Sequence, residues 1–177
     1  MTSAKEASDA NLNKLTGSAK NEAGLSNNNS MSANTEDYKL TDNFAANRGR
    51  LPWPVERGII TESFGEHAHP DFKYIKTKNN GIDITCSAGS HARAVFDGEV
   101  SSVVFISGIN YVVMIRHGDY LSVYSNLQGV SVKKGEHVKA KQSIGTLVTD
   151  SEDGKTRIHF EVWHGALLVN PENWIAN

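Results

Sequence analysis

The chain has 177 residues, with 18 Lys+Arg against 20 Asp+Glu, a formal net charge of −2 and a single cysteine. That length holds one domain with a core, or one domain plus a tail, and excludes two full domains. The basic residues are scattered, which argues against nucleic acid and against a polybasic membrane contact, and no run approaches the roughly 18 to 20 apolar residues of a membrane span.

Residues 1–37 contain no aromatic side chain and are dominated by Ser, Asn, Ala and Lys. Such a stretch cannot bury enough apolar surface to offset its ordering entropy, so it is read as a disordered tail, with at most a marginal helix over 7–15. Met1 is followed by polar residues where a signal peptide would carry an apolar run. Residues 38–50 read as a linker, and 51–177 as the domain, opened by Leu51-Pro52-Trp53-Pro54, whose prolines fix an extended backbone.

Short apolar runs broken by glycine follow, and predict strands over 59–64, 81–85, 92–96, 99–106, 111–117, 120–125, 144–148 and 157–163. Gly118-Asp119 and Asp153-Gly154 read as hairpin turns. Asn170-Pro171-Glu172 is the one good helix start, for no more than a turn or two. The spacing describes an all-β fold, a sandwich or barrel. A short internal echo, Gly89-Ser90-His91-Ala92-Arg93-Ala94 answered by Gly135-Glu136-His137-Val138-Lys139-Ala140, suggests two related hairpin units. Lipoyl and biotin carriers use a similar duplication, but no lysine here sits in a recognisable attachment motif. Cys86 has no partner thiol and reads as a core residue.

Of the seven histidines, His91, His137, His117 and His164 fall at strand ends and read as surface or turn residues. His159 is the informative one. Period-two alternation in Arg157-Ile158-His159-Phe160-Glu161-Val162-Trp163 places Arg157, His159 and Glu161 on one face and Ile158, Phe160 and Val162 on the core face.

Three segments, Asn79-Asn80-Gly81-Ile82-Asp83, Tyr124-Ser125-Asn126-Leu127 and Arg157-Ile158-His159-Phe160-Glu161, resemble in order and spacing the signature segments of the LytM or lysostaphin-like zinc endopeptidases. The resemblance implies a LytM-like β-sandwich with a duplicated hybrid motif. Active members read His-x-x-x-Asp, Tyr-x-His-Leu and His-x-His in these places. The resemblance puts Asn79, Asp83 and His159 at the zinc-ligand positions and Asn126 and Arg157 at the catalytic histidine positions. Two of three ligands and neither catalytic histidine remain. A catalytic zinc needs three protein ligands and an open position for water, and hydrolysis needs a base. An Arg157 guanidinium about 5 Å from a dication would add roughly 6 to 7 kcal/mol of repulsion at an effective dielectric near 20; paired instead with Asp83 or Glu161, it would fill the vacated position. The expectation is a groove with neither metal nor cofactor, with zinc retained only under the alternative reading.

Within the family, the degenerate pattern and the segment Asn47-Arg48-Gly49-Arg50-Leu51-Pro52-Trp53-Pro54-Val55 resemble EnvC-like murein hydrolase activators. The resemblance implies a periplasmic or cell-envelope location and a non-catalytic role in cell separation, in which the groove docks a segment of an N-acetylmuramoyl-L-alanine amidase. Tyr124, Asn126, Arg157 and Glu161 are expected along the groove floor, with Tyr74 and Tyr111 as walls. Two alternatives stand beside this reading: a zinc peptidoglycan endopeptidase with an atypical site, for which His67 and His69 are the candidate recruited ligands, and a passive peptidoglycan-binding module.

Overall fold

The structure, a computed structural model, describes residues 30–177, and the reading of 1–29 as a disordered tail lies outside them. A helix, α1 (Ser30–Ala46), is followed by β1 (Ile59–Glu62), β2 (Gly65–Ala68), β3 (Lys76–Asn79), β4 (Ile82–Cys86), β5 (His91–Arg93), β6 (Gly98–Ile106), β7 (Asn110–His117), β8 (Tyr120–Val130), β9 (His137–Val138), β10 (Ser143–Leu147), β11 (Thr156–His164) and β12 (Leu167–Val169). Ten strands form one antiparallel sheet along the order β1-β4-β11-β8-β7-β6-β9, with β5 and β10 joined through β8 and β12 flanking β11. Strands β2 and β3 make a separate hairpin. The fold is all-β, as the strand spacing predicts. Among the described residues no helix is long and apolar enough to cross a membrane.

The core follows from side-chain alternation. Ile82 and Ile84 of β4, Tyr124 and Leu127 of β8, and Ile158, Phe160 and Val162 of β11 all enter the larger apolar cluster. Strand β7 is apolar on both faces: Val113 and Ile115 join that cluster, while Val112 and Met114 pack on the other side with Val123 and Trp163. Cys86 is half-buried against the larger cluster, and burial raises its pKa.

Helix α1 crosses the expected boundary between tail and linker at residue 37, and nothing in the 38–50 segment had announced a helix. Its stability is tertiary rather than intrinsic. Phe44 is fully buried, its ring centroid 4.7 Å from Tyr120, 4.8 Å from His117, 5.2 Å from Trp174 and 5.7 Å from Phe96. Arg116 donates to the Asp37 carboxylate at 3.1 Å, and the Thr41 hydroxyl accepts from the Asp119 amide at 2.9 Å. Gly118 turns the β7–β8 hairpin with φ +69°, and any side chain there would strike Thr41.

His117 is likewise not a surface residue. It is fully buried, its Nδ1 donating to the Asp97 carbonyl at 2.6 Å, with the Ser122 hydroxyl 2.8 Å from Nε2. Burial outweighs the pull of Asp97 and lowers its pKa to about 4. The turn leading into β8 folds it under Phe44, which a reading of hairpin position alone does not reveal.

The domain closes on itself. Leu51 forms a parallel bridge with Ile175, its amide donating to the Trp174 carbonyl and its carbonyl accepting from Ala176, and Trp53 Nε1 donates to the Ala176 carbonyl at 2.7 Å. As predicted, Asn170 caps a single 3-10 turn, Pro171–Asn173, its side chain accepting from the Glu172 amide.

Candidate functional site

Strand register brings the polar residues of the signature segments into one line. Glu62 of β1 lies opposite Asp83 of β4, Asp83 opposite His159 of β11, and His159 opposite Ser125 of β8. Directly opposed residues share a face, so four strands carry one row on the face away from Ile82, Ile84 and Phe160.

His159 sits at the centre with both ring nitrogens committed. Nδ1 is 2.6 Å from Asp83 Oδ1, and Nε2 is 3.0 Å from Glu161 Oε1. Trp163 Nε1 donates to the other Glu161 oxygen at 2.8 Å. Burial alone would push the imidazole down, but its hydrogen bonds to Asp83 and Glu161, and their charges, prevail and hold it at about 10. At neutral pH it is an imidazolium donating to two carboxylates.

Asn79 is buried at the end of β3. Its Oδ1 accepts from the Gly81 amide at 3.2 Å, while its Nδ2 has no partner among the described residues. A Cβ at Gly81 would lie 2.1 Å from the Phe160 carbonyl, so only glycine lets the chain lie flat against β11 on its way to Asp83. The buried Ser125 hydroxyl, beside His159, is also without a partner among the described residues.

Asn126 has φ +72°; its Nδ2 donates to the Arg157 carbonyl at 2.6 Å and its Oδ1 accepts from Asn110 at 3.0 Å. Arg157 pairs with Asp153 and not with Asp83 or Glu161, the partners open to it from sequence; His159 takes both of those carboxylates. The cation that fills the row is therefore a histidine rather than an arginine.

Two expected floor residues are not on the surface. Tyr124 lies opposite Phe160 and points into the core, where its hydroxyl accepts from the Val95 amide at 2.9 Å and burial raises its pKa. Glu161 is on the expected face but is fully buried between His159 and Trp163. Tyr74 is 98% exposed in the link between β2 and β3, and Tyr111 is 36% exposed, edge-on to Phe105 with ring centroids 5.2 Å apart. His67 and His69 are engaged within the β2–β3 hairpin: His67 Nε2 donates to the Ser63 carbonyl at 2.8 Å, and His69 Nδ1 accepts from the Asp71 amide at 3.1 Å. The sequence reading missed the roles of Ser125 and Trp163, although the same alternation that places His159 applies to both.

The zinc site implied by the resemblance can be tested against these donors. Asp83 and His159 are bonded to each other, the Asn79 oxygen is turned into its own loop, and the imidazole nitrogens face carboxylates. This set does not provide the three convergent ligands of a catalytic zinc.

The model of Peptidase family M23 matches residues 77–171, more than half of the chain. The murein hydrolase activator EnvC of Escherichia coli strain K12 is 29% identical over 137 residues, covering 77% of this chain and 31% of that protein. The murein hydrolase activator NlpD of the same strain is 33% identical over 125 residues, covering 70% of this chain and 30% of that protein. This chain thus spans about a third of the length of these curated relatives. Among solved structures, a zinc containing peptidase from Vibrio cholerae is similar with a TM-score of 0.61 and 26% identity over 73% of this chain and 41% of that one. With residues of all three signature segments brought into one row across β4, β11 and β8, the chain belongs to Peptidase family M23.

Proposed function

We propose that the domain is a non-catalytic activator of a cell-wall amidase of the N-acetylmuramoyl-L-alanine class, acting in the cell envelope during cell separation by docking a partner segment in the groove over the Asp83–His159 row. The observation that carries this reading is the commitment of both His159 nitrogens to Asp83 and Glu161. Held in that way, both nitrogens are taken by carboxylates of the protein itself. The catalytic positions carry Asn126, bonded to the Arg157 carbonyl, and Arg157, bonded to Asp153, and neither takes a proton from water near neutral pH. The names of EnvC and NlpD, both murein hydrolase activators, support the same reading.

With Tyr124 and Glu161 inside the protein, the partner would meet Asn126 and Arg157 on the floor and Tyr111 and Tyr74 on the walls. Tyrosine and arginine are frequent energetic anchors of interfaces. Zinc-dependent hydrolysis of peptidoglycan is the rival, favoured by the survival of Asp83 and His159. One assay separates the two: release of dye from labelled sacculi by a purified amidase, with and without this chain. Stimulation by the wild type, its loss in Arg157→Glu with unchanged circular dichroism, and no release without amidase are expected. Chelator-sensitive release by the chain alone would favour the rival, and full stimulation by Arg157→Glu would remove the groove from the mechanism.

A further inference from the structure

A second concave site lies where β4 runs out, and it shares no residue with the Asp83–His159 row. The cleft, about 570 Å³, is bordered by the turn that follows Cys86, by β5 and by the start of β10. Among the described residues, Arg57, His91, Arg93 and Lys141 line it, with Ser90 among the hydroxyls and Glu56 as its one carboxylate.

The internal echo shows why these cations stand out. The Ser90 amide donates to the Ser87 carbonyl across Gly89, and the Glu136 amide donates to the Lys133 carbonyl across Gly135, so both copies begin with the same turn, with φ +79° and +87° at the glycines. In the second copy the cation is neutralised: Lys139 lies 3.3 Å from an Asp97 oxygen, and the other Asp97 oxygen accepts from the Ala140 amide. In the first copy the matching cation, Arg93, has no carboxylate partner among the described residues. Its Nε donates to the Trp53 carbonyl at 2.9 Å, which holds the guanidinium in place and leaves its terminal nitrogens for another acceptor. Among the described residues, the side chains of Arg57, His91 and Lys141 have no hydrogen-bonding or ionic partner. A preorganised guanidinium flanked by a second arginine and a lysine suits an oxyanion with several acceptor oxygens.

We propose that this cleft binds a phosphate monoester. Three permanent cations against Glu56 leave a surplus of two positive charges, the complement of a phosphate monoester near neutral pH. A single carboxylate would leave half of that surplus unmatched. The phosphate can belong to a soluble metabolite or to a lipid headgroup, and the test distinguishes them.

The full chain is titrated with glycerol 3-phosphate at constant ionic strength and followed by amide NMR, with succinate as the dicarboxylate control. A parallel arm measures co-sedimentation with phosphatidylcholine vesicles with and without phosphatidic acid. Saturable shifts confined to residues 87–93 and 141–143, weakened roughly tenfold or more in the Arg57→Gln/Lys141→Gln double variant, are expected. Both substituted side chains are exposed, so the variant is expected to stay folded, which its amide spectrum reports directly. Phosphatidic-acid-dependent sedimentation lost in that variant would assign the phosphate to a lipid; binding in solution alone would assign it to a soluble ester. Shifts that do not saturate, that spread over unrelated lysines, that persist in the double variant or that succinate reproduces at equal strength would each overturn the proposal.

Discussion

Acid should loosen this domain through one buried imidazole. His117 has an ordinary pKa of 6.5 and a folded value of about 4, because burial disfavours its charged form. The folded state therefore holds the neutral ring while the unfolded chain accepts a proton. The contribution is fully present above pH 6.5 and is lost as pH falls toward 4, and the gap between the two values corresponds to about 3 kcal/mol. Urea unfolding followed by tryptophan fluorescence, at several pH values from 7.5 to 4, measures it. His117→Gln should be less stable than wild type at pH 7.5, since it disturbs the contacts to Asp97 and Ser122. Between the two pKa values its stability should fall less steeply, by about 1.4 kcal/mol per pH unit, the contribution of one proton. Parallel curves for the two proteins would refute the assignment, as would an NMR titration of His117 in the folded protein centred near 6.5.

Phe44→Ala should cost about 3 to 5 kcal/mol by urea unfolding, because it empties the space between four surrounding rings; a loss below about 1 kcal/mol would mean that α1 does not dock as described. Gly81→Ala should destabilise by about 1 to 3 kcal/mol or more, since its new methyl lies 2.1 Å from the Phe160 carbonyl, and wild-type stability would show that β4 can shift freely. A stoichiometric addition of zinc, or its removal by chelator, should leave the thermal midpoint unchanged. A midpoint rising with zinc concentration would reveal a ligand set beyond Asp83 and His159.

The strands were legible because their alternation is regular where the core is continuous: Ile158, Phe160 and Val162 face inward as counted, and His159 faces outward. The same counting fails for Tyr124. Asn126 adopts a left-handed conformation and the β8–β10 ladder shifts register beside it, so stepping back two residues from Asn126 does not stay on one face. Helix α1 escaped notice because its stability comes from Phe44, Thr41 and Asp37 meeting residues more than fifty positions away, a pairing without any local signature. The identity of the cation over Asp83 was equally hidden, since Arg157 and His159 are both plausible in sequence and only the reach of Asp153 separates them.

The parallel bridge between Leu51 and Ile175 also has a mechanical meaning. Tension applied through α1 on one side and through the C-terminus on the other pulls the two segments in opposite directions along their common axis. The two backbone bonds of Leu51 and the Trp53 indole bond are then loaded together, in shear, instead of being peeled apart one after another. A force acting along the chain meets this clasp before it reaches the sheet.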